Sequence, residues 1–213
     1  MYVPRFNAVE DEQAMRGFVG SAGAAELITT GPDGYPAATL LPVIWEGDRV
    51  IAHFARANPH WKAIDPGSPC LLVVRGAQAY ISPSWYATKL ERGKVVPTWN
   101  YSAVQIRGRA SVHDDADWVR DAVTRLTEVH EADRAGRWRV TDAPEKYIAG
   151  QLRAIVGVEI LVEAVEGKAK LSQNRSEQDR RGVVLGLGSE SHPEAATVAA
   201  EMRHHLEHVL DPR

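Results

Sequence analysis

The sequence predicts a mainly β protein with peripheral helices (α+β class), its strands forming an antiparallel, Greek-key-like sheet closed into a small barrel. Three observations carry this. Two hairpins follow one another directly between residues 25 and 55. Six or seven strand candidates fall before residue 166. Helical segments flank the strands and do not alternate with them, which argues against a parallel sheet.

The elements read in order as follows. Residues 10–19 have helical character, with Met15, Phe18 and Val19 on one apolar face. Residues 25–29 read as a strand, Gly31-Pro32-Asp33-Gly34 is a strong turn signal, and residues 35–45 resume as a strand. Glu46-Gly47-Asp48 is a second turn, followed by a strand over 49–55. Asn58-Pro59 opens a short helical turn that Asp65-Pro66-Gly67 ends. Residues 71–74 and 77–82 are two strand candidates separated by a Gly. Residues 83–97 read as a loop with Lys89, Arg92 and Lys94, and a loop that long in a compact domain is more often functional than idle.

Residues 100–112 read as a long strand, with Val104, Ile106 and Gly108 alternating against Gln105, Arg107 and Arg109 so that one face is wet. A helix over 117–131 is capped by Asp114 or Asp115, a second spans about 144–154, and residues 156–165 form the last strand. The tail holds a loop at 171–175 and helices over 176–187 and 193–210, with Gly182, Gly186 and Gly188 read as helix-end residues. The organisation expected is a barrel domain over 1–170 and a loop and helical tail over 171–213, packed on the barrel or at a dimer contact.

Composition narrows the function. Hydrophobic residues make up 44% and charged residues 25%, as in ordinary globular domains, and no apolar run is long enough to suggest a membrane span. Met1 to Asn7 lacks a basic-then-apolar leader pattern, and Cys70 is the single cysteine, so a cytoplasmic location is expected. The formal net charge of −3 does not advertise nucleic-acid binding. The two tail helices superficially resemble a helix-turn-helix, but from residue 170 onward six cations face seven carboxylates, which makes direct DNA binding doubtful. Glycine-rich dinucleotide and phosphate-loop motifs are missing, as are paired cysteines for zinc. His204 and His208 lie four apart on one helical face without an identifiable third ligand, so no metal is expected.

Three segments stand out together: Ile51-Ala52-His53-Phe54-Ala55-Arg56-Ala57-Asn58-Pro59-His60-Trp61, Tyr80-Ile81-Ser82-Pro83-Ser84-Trp85-Tyr86 and Val96-Pro97-Thr98-Trp99-Asn100-Tyr101. The first ends a strand in polar groups and breaks into a turn, offering N–H donors to an anion. The others interleave aromatics with hydroxyls and amides, which suits a flat heterocycle with a polar edge. Taken singly, each also reads as a core aromatic beside a turn.

Together with Met1-Tyr2-Val3-Pro4 and Lys170-Leu171-Ser172-Gln173-Asn174-Arg175, these stretches resemble the PaiB-type FMN-binding negative transcriptional regulators, within the pyridoxamine-phosphate-oxidase-like split barrels. The resemblance spans nearly the whole chain. It implies an FMN-binding split β-barrel and a homodimer with two FMN sites at the subunit interface. It also implies that His53, Ala55 and Asn58, with Trp61 beside them, lie near the phosphate and ribityl chain of FMN. Thr98, Asn100 and Tyr101 then lie on the neighbouring strand, and Lys170, Ser172, Gln173 and Asn174 form a loop closing over the flavin. Where Thr39-Leu40-Leu41-Pro42 stands, relatives often carry a basic or polar residue.

The inventory of side chains suits FMN. Arg56, Lys170, Arg175, Ser172, Asn58 and Asn100 are of the kind a phosphate needs, and Trp61, Trp85 and Trp99 offer faces for the ring. Two functions compete: a flavin-binding regulator whose regulation is indirect or redox-linked, and a flavin-dependent oxidoreductase acting on a small molecule. A third reading keeps the dimer as an interaction module or gives it another planar ligand such as haem. No catalytic residue is assignable.

Overall fold

The computed structural model describes residues 1–208. After a 3-10 turn at Arg5–Asn7, the chain forms β1 (Ala8–Val9), α1 (Glu12–Ala22), β2 (Ala24–Thr30), β3 (Pro36–Glu46) and β4 (Arg49–Ala55). A 3-10 turn at Pro59–Ala63 leads to β5 (Ser68–Ile81), and another at Pro83–Trp85 leads to α2 (Thr88–Arg92) and β6 (Thr98–His113). Then come α3 (Ala116–Glu131), α4 (Glu145–Leu152), β7 (Ile155–Lys170), α5 (Glu177–Gly188) and α6 (Pro193–His208). The sequence extends the last helix two residues further, outside the described residues. The strands form one sheet in the order β1-β7-β4-β3-β2-β5-β6, and a further β6–β7 pairing closes it. Every registered pair is antiparallel, so the predicted class and closed sheet are present.

The chain divides into two compact units: residues 11–74 with 104–165, and residues 1–10 and 75–103 with the chain from 166 onward. In the first of these, the two hairpins are set by their turns. Gly34 takes φ +82, which glycine adopts without penalty, and Gly31 N–H donates to Tyr35 O at 2.7 Å. The Asp11 carboxylate caps α1 by accepting from Gln13 N–H at 2.9 Å. Leu27, Val50, Ala52 and Phe54 are fully buried on the inner side of the strands. Helix α3 packs Ala122 and Leu126 on Ile44 and Ile51, and lays Val119 on Val140, Ile148 and Leu152.

The outer side of the same strands is apolar as well. Alternation on β3 turns Ala38, Leu40 and Pro42 outward, and cross-strand register sets Ile28 beside Ala38 and Leu71 and sets Glu26 beside Leu40 and Val73. Leu40 is 67% exposed.

In the second unit, α5 and α6 bury Val183, Leu187, Val198, Ala199 and Met202 against Ala79 and Ile81 of β5, with Tyr86 and Leu171. The glycines of α5 correct the helix-end reading. A Cβ on Gly182 would stand 2.2 Å from Trp85 O, and one on Gly186 would stand 2.3 Å from Trp85 Cδ2. They form a bare face, one turn long, on which Trp85 lies.

Two strands differ from expectation. Residues 68–81 run as one strand, along which the buried side shifts from Leu72 and Val74 to Ala79 and Ile81. Strand β7 continues five residues past Val165, through Glu166-Gly167-Lys168-Ala169-Lys170, because Ala8 and Val9 pair with Lys168 and Gly167.

Candidate functional site

A cavity of about 400 Å³ lies within the second unit, in the size range of small-molecule sites. Three cations border it, Lys168, Lys170 and Arg175, and its lining holds no carboxylate. The apolar and aromatic part comes from Tyr2, Phe6, Tyr86 and Tyr101.

Strand geometry explains the placement. Lys168 and Lys170 are two apart on β7, and Thr98 and Asn100 are two apart on β6, so each pair projects to one side. Lys168 is 8% exposed; its Nζ donates to Tyr101 Oη at 2.7 Å and to Tyr2 O at 3.1 Å. Lys170 Nζ donates to Thr98 Oγ1 and Trp99 O. Burial pushes the Lys170 ammonium below the ordinary lysine range, with Lys168 adding to the depression and Tyr101 opposing it. A bound anion would relieve that depression.

Fully buried Asn100 and Ser172 hold each other: Asn100 Nδ2 donates to Ser172 Oγ at 3.0 Å and Ser172 Oγ lies 3.2 Å from Asn100 Oδ1. Ser172 takes φ +62, a left-handed conformation strained for a residue other than glycine, and such strain concentrates at ligand clamps. Its carbonyl accepts Arg175 N–H at 3.0 Å, completing the turn. The Arg175 guanidinium lies 4.9 Å over the Tyr86 ring, and among the described residues its N–H donors take no hydrogen-bond partner. Two buried polar atoms of the lining also lack a partner: Asn7 Oδ1, an acceptor, and Tyr86 Oη. Such orphans are uncommon in native proteins, and both belong to residues that line the cavity. The arrangement can hold an anion on its cations and a flat group with a polar edge against its tyrosines.

Of the predicted residues, Thr98, Asn100, Tyr101, Lys170, Ser172 and Asn174 line this cavity. Gln173 turns back on its own strand end, accepting from Leu171 N–H at 2.7 Å and donating to Ala169 O. Tyr2, Asn7, Tyr86 and Lys168 were not expected. A signal for Lys168 existed in its two-residue spacing from Lys170. None of the three tryptophans offered as ring platforms lines the cavity: Trp85 lies on α5, Trp99 packs on Tyr80, and Trp61 donates from Nε1 to Arg56 O.

His53, Ala55, Asn58 and Trp61 belong to the other unit. His53 and Ala55 pair across β4–β7 with Gly157 and Ile155. His53 Nδ1 is buried without a partner, and burial holds its pKa below the usual value. Arg56, counted above as a phosphate donor, is engaged: it pairs with Asp114 and donates to Arg153 O at 2.7 Å.

Asn58 caps the following turn by accepting His60 N–H at 3.0 Å, which fixes its amide so that Nδ2 donates to Thr39 Oγ1 at 3.2 Å. The Thr39 hydroxyl is hydrogen-bonded to His60 Nδ1 at 2.8 Å, and Thr29 Oγ1 to His60 Nε2 at 2.9 Å. Thr39 is therefore the polar anchor within the apolar stretch 39–42. His60 is 7% exposed and burial lowers its pKa. Its folded-state value lies below the unfolded value near 6.5, so the unfolded chain takes up the proton first. Stability is accordingly expected to be full above about pH 6.5 and to fall as the pH drops below it. Thermal melts at pH 8 and pH 5.5 check this, and the drop is expected to shrink in His60→Gln.

Among the described residues no cluster of three His, Cys, Asp or Glu side chains could hold a metal, and no helix is long and apolar enough to cross a membrane.

With this geometry in view, comparison with known proteins is informative. Residues 1–164 match the family model described as "Putative FMN-binding domain". The chain is 33% identical over 210 residues to "Protease synthase and sporulation protein PAI 2" of Bacillus subtilis, covering 97% of this chain and 98% of that protein. Its fold is similar to the FAD and haem binding protein of Mycobacterium smegmatis, with a TM-score of 0.60 and 15% identity, over 81% of this chain and 78% of that one. It is equally similar to a flavocytochrome of Azotobacter vinelandii, with a TM-score of 0.60 and 18% identity, over 84% and 78%. These folds agree with the split barrel that the sequence predicts.

Proposed function

The chain belongs to this FMN-binding domain family, of which FMN is the cofactor, and on that premise we propose that FMN seats in the cavity bordered by Lys168, Lys170 and Arg175. The observation that supports this placement is the set of unsatisfied groups there. Arg175 offers charged donors suited to a phosphate, Asn7 Oδ1 can accept from the flavin N3–H, and Tyr86 Oη can serve a carbonyl. The donor set fits the group. When bound, the flavin supplies redox chemistry. This chain's residues bind and orient it: Tyr101 and Tyr86 shield it from water, and Lys168 and Lys170 keep positive charge beside it. The chain from Leu171 onward serves as the loop and helical tail closing over it, with Ser172, Gln173 and Asn174 in the loop.

The working unit proposed is a cytoplasmic homodimer with two FMN sites, which His53, Ala55, Asn58 and Trp61 complete. The apolar outer rows around Leu40, Ile28, Leu71 and Val73 support an interface, since exposed apolar patches of this kind mark contacts. Leu40→Asp is expected to shift the protein from dimer to monomer in sedimentation analysis. A dimer unaffected by that change places the interface elsewhere.

The biological role proposed is that of a PaiB-type regulator, acting indirectly or through flavin redox state. The balance of tail charges and the burial of α5 and α6 against each other argue against a major-groove role for either helix. Absorbance of protein purified without added flavin tests the cofactor: two flavin bands with FMN released on denaturation are expected. A colourless protein that ignores added FMN overturns the reading. Salt-sensitive retention on DNA would overturn indirect regulation, and steady NAD(P)H oxidation would favour the oxidoreductase.

A further inference from the structure

A second, smaller crevice of about 210 Å³ lies beside Trp99 of β6. Trp99 lines this crevice and not the cavity that Thr98, Asn100 and Tyr101 line. It meets Tyr80 of β5 edge to face, with ring centroids 6.2 Å apart and planes at 74°. The two rings are about half exposed, at 52% and 47%, so they form two walls of an open corner. Buried Leu187 and Ala195 make the floor.

The rim is anionic. Glu190 lines the crevice, and among the described residues its carboxylate takes no ion pair or hydrogen bond. His192 Nδ1 accepts Glu194 N–H at 3.3 Å, which caps the start of α6. Neither Lys nor Arg lines the crevice.

The geometry points to a binding site for a small organic ammonium group in this corner. Both rings line the crevice, and a cation over the face of either is drawn by its quadrupole, which is how proteins recognise alkylated ammonium ions. An unpaired carboxylate beside them adds attraction for a cation and repels an anion. A neutral apolar ligand would gain the floor but would draw water away from Glu190 without compensation. The site is separate from the flavin cavity, and the inference stands independently of it.

The test uses choline as probe and neohexanol, the same skeleton with carbon in place of nitrogen, as the uncharged control. Both are titrated against the full-length protein by ligand-observed NMR. Saturable choline binding at least about tenfold tighter than neohexanol is expected. Trp99→Leu is expected to abolish the preference and Glu190→Gln to weaken choline binding about fivefold. Both side chains are exposed, and unchanged near-ultraviolet circular dichroism verifies that the variants are folded. Equal binding of the two probes, choline binding indifferent to Trp99→Leu, or no saturation would each overturn the inference.

Discussion

Arg175→Ala is expected to weaken FMN binding about a hundredfold while changing riboflavin affinity by less than about threefold. The asymmetry follows from what the side chain touches. Its guanidinium rests on the Tyr86 ring and among the described residues gives no hydrogen bond, so its removal breaks none there. Its backbone N–H, which donates to Ser172 O, survives in alanine. Asp179 loses a favourable neighbouring charge but keeps Thr88 N–H at 2.9 Å and the Thr88 hydroxyl at 2.7 Å. What disappears is a fork of charged donors facing the cavity, and riboflavin has no phosphate to miss it. Lys170 is a poorer probe because its ammonium also ties Thr98 and Trp99 together. Flavin fluorescence titrations with both ligands measure the effect. Equal losses for the two flavins would mean that Arg175 does not meet the phosphate.

The largest effect on folding is expected from Gly108→Ala, a loss of about 4 kcal/mol or more by chemical denaturation. A Cβ there would stand 2.3 Å from Leu161 O and 2.8 Å from Ile160 Cγ2. Those atoms cannot move aside cheaply, because Leu161 and Ile160 are in register with Arg49 and Val50 across β4–β7. The collision falls where β6 meets β7, the pairing that closes the sheet. It would also move Gly108 O, which accepts from the buried Cys70 thiol at 3.4 Å. Gly17→Ala is the control: nothing lies within 4 Å of its Cβ in the middle of α1, and the change is expected to stabilise by about 0.5–1 kcal/mol.

Legibility in the sequence followed sequence distance. Gly31 to Gly34 and Glu46 to Asp48 set two hairpins with their own backbone preferences, and the register Thr30↔Pro36 and Glu46↔Arg49 follows from those turns. Asp115 caps α3 within three residues of its partners, Asp117 N–H and Trp118 N–H. The features that escaped depend on distant partners. Strand β1 exists because Ala8 and Val9 meet Lys168 and Gly167. The polar end of β7 is a strand for the same reason. Gly182 and Gly186 look like helix ends until Trp85, about a hundred residues earlier, lies on them.

The candidate site divides in the same way. Motif resemblance pointed to Thr98, Asn100, Tyr101, Lys170, Ser172 and Asn174, which line one cavity. Tyr2 and Tyr86 stood inside the same motifs and were passed over, because an isolated tyrosine gives no sign of whether its hydroxyl finds a partner. Asn7 was illegible: its importance lies in an acceptor left unsatisfied on burial, which only three-dimensional packing reveals. The tryptophans misled for the opposite reason. Large aromatics cluster wherever packing needs them, and Trp85 serves a helix face.

The central claim is that the cavity of Lys168, Lys170 and Arg175 is the flavin site, and a crystal structure grown with FMN tests it most directly. The predicted result is flavin density within that cavity, with phosphate oxygens in hydrogen-bond reach of the Arg175 guanidinium and with Asn7 Oδ1 and Tyr86 Oη newly partnered. Flavin bound elsewhere, with those atoms still unpaired, would contradict it.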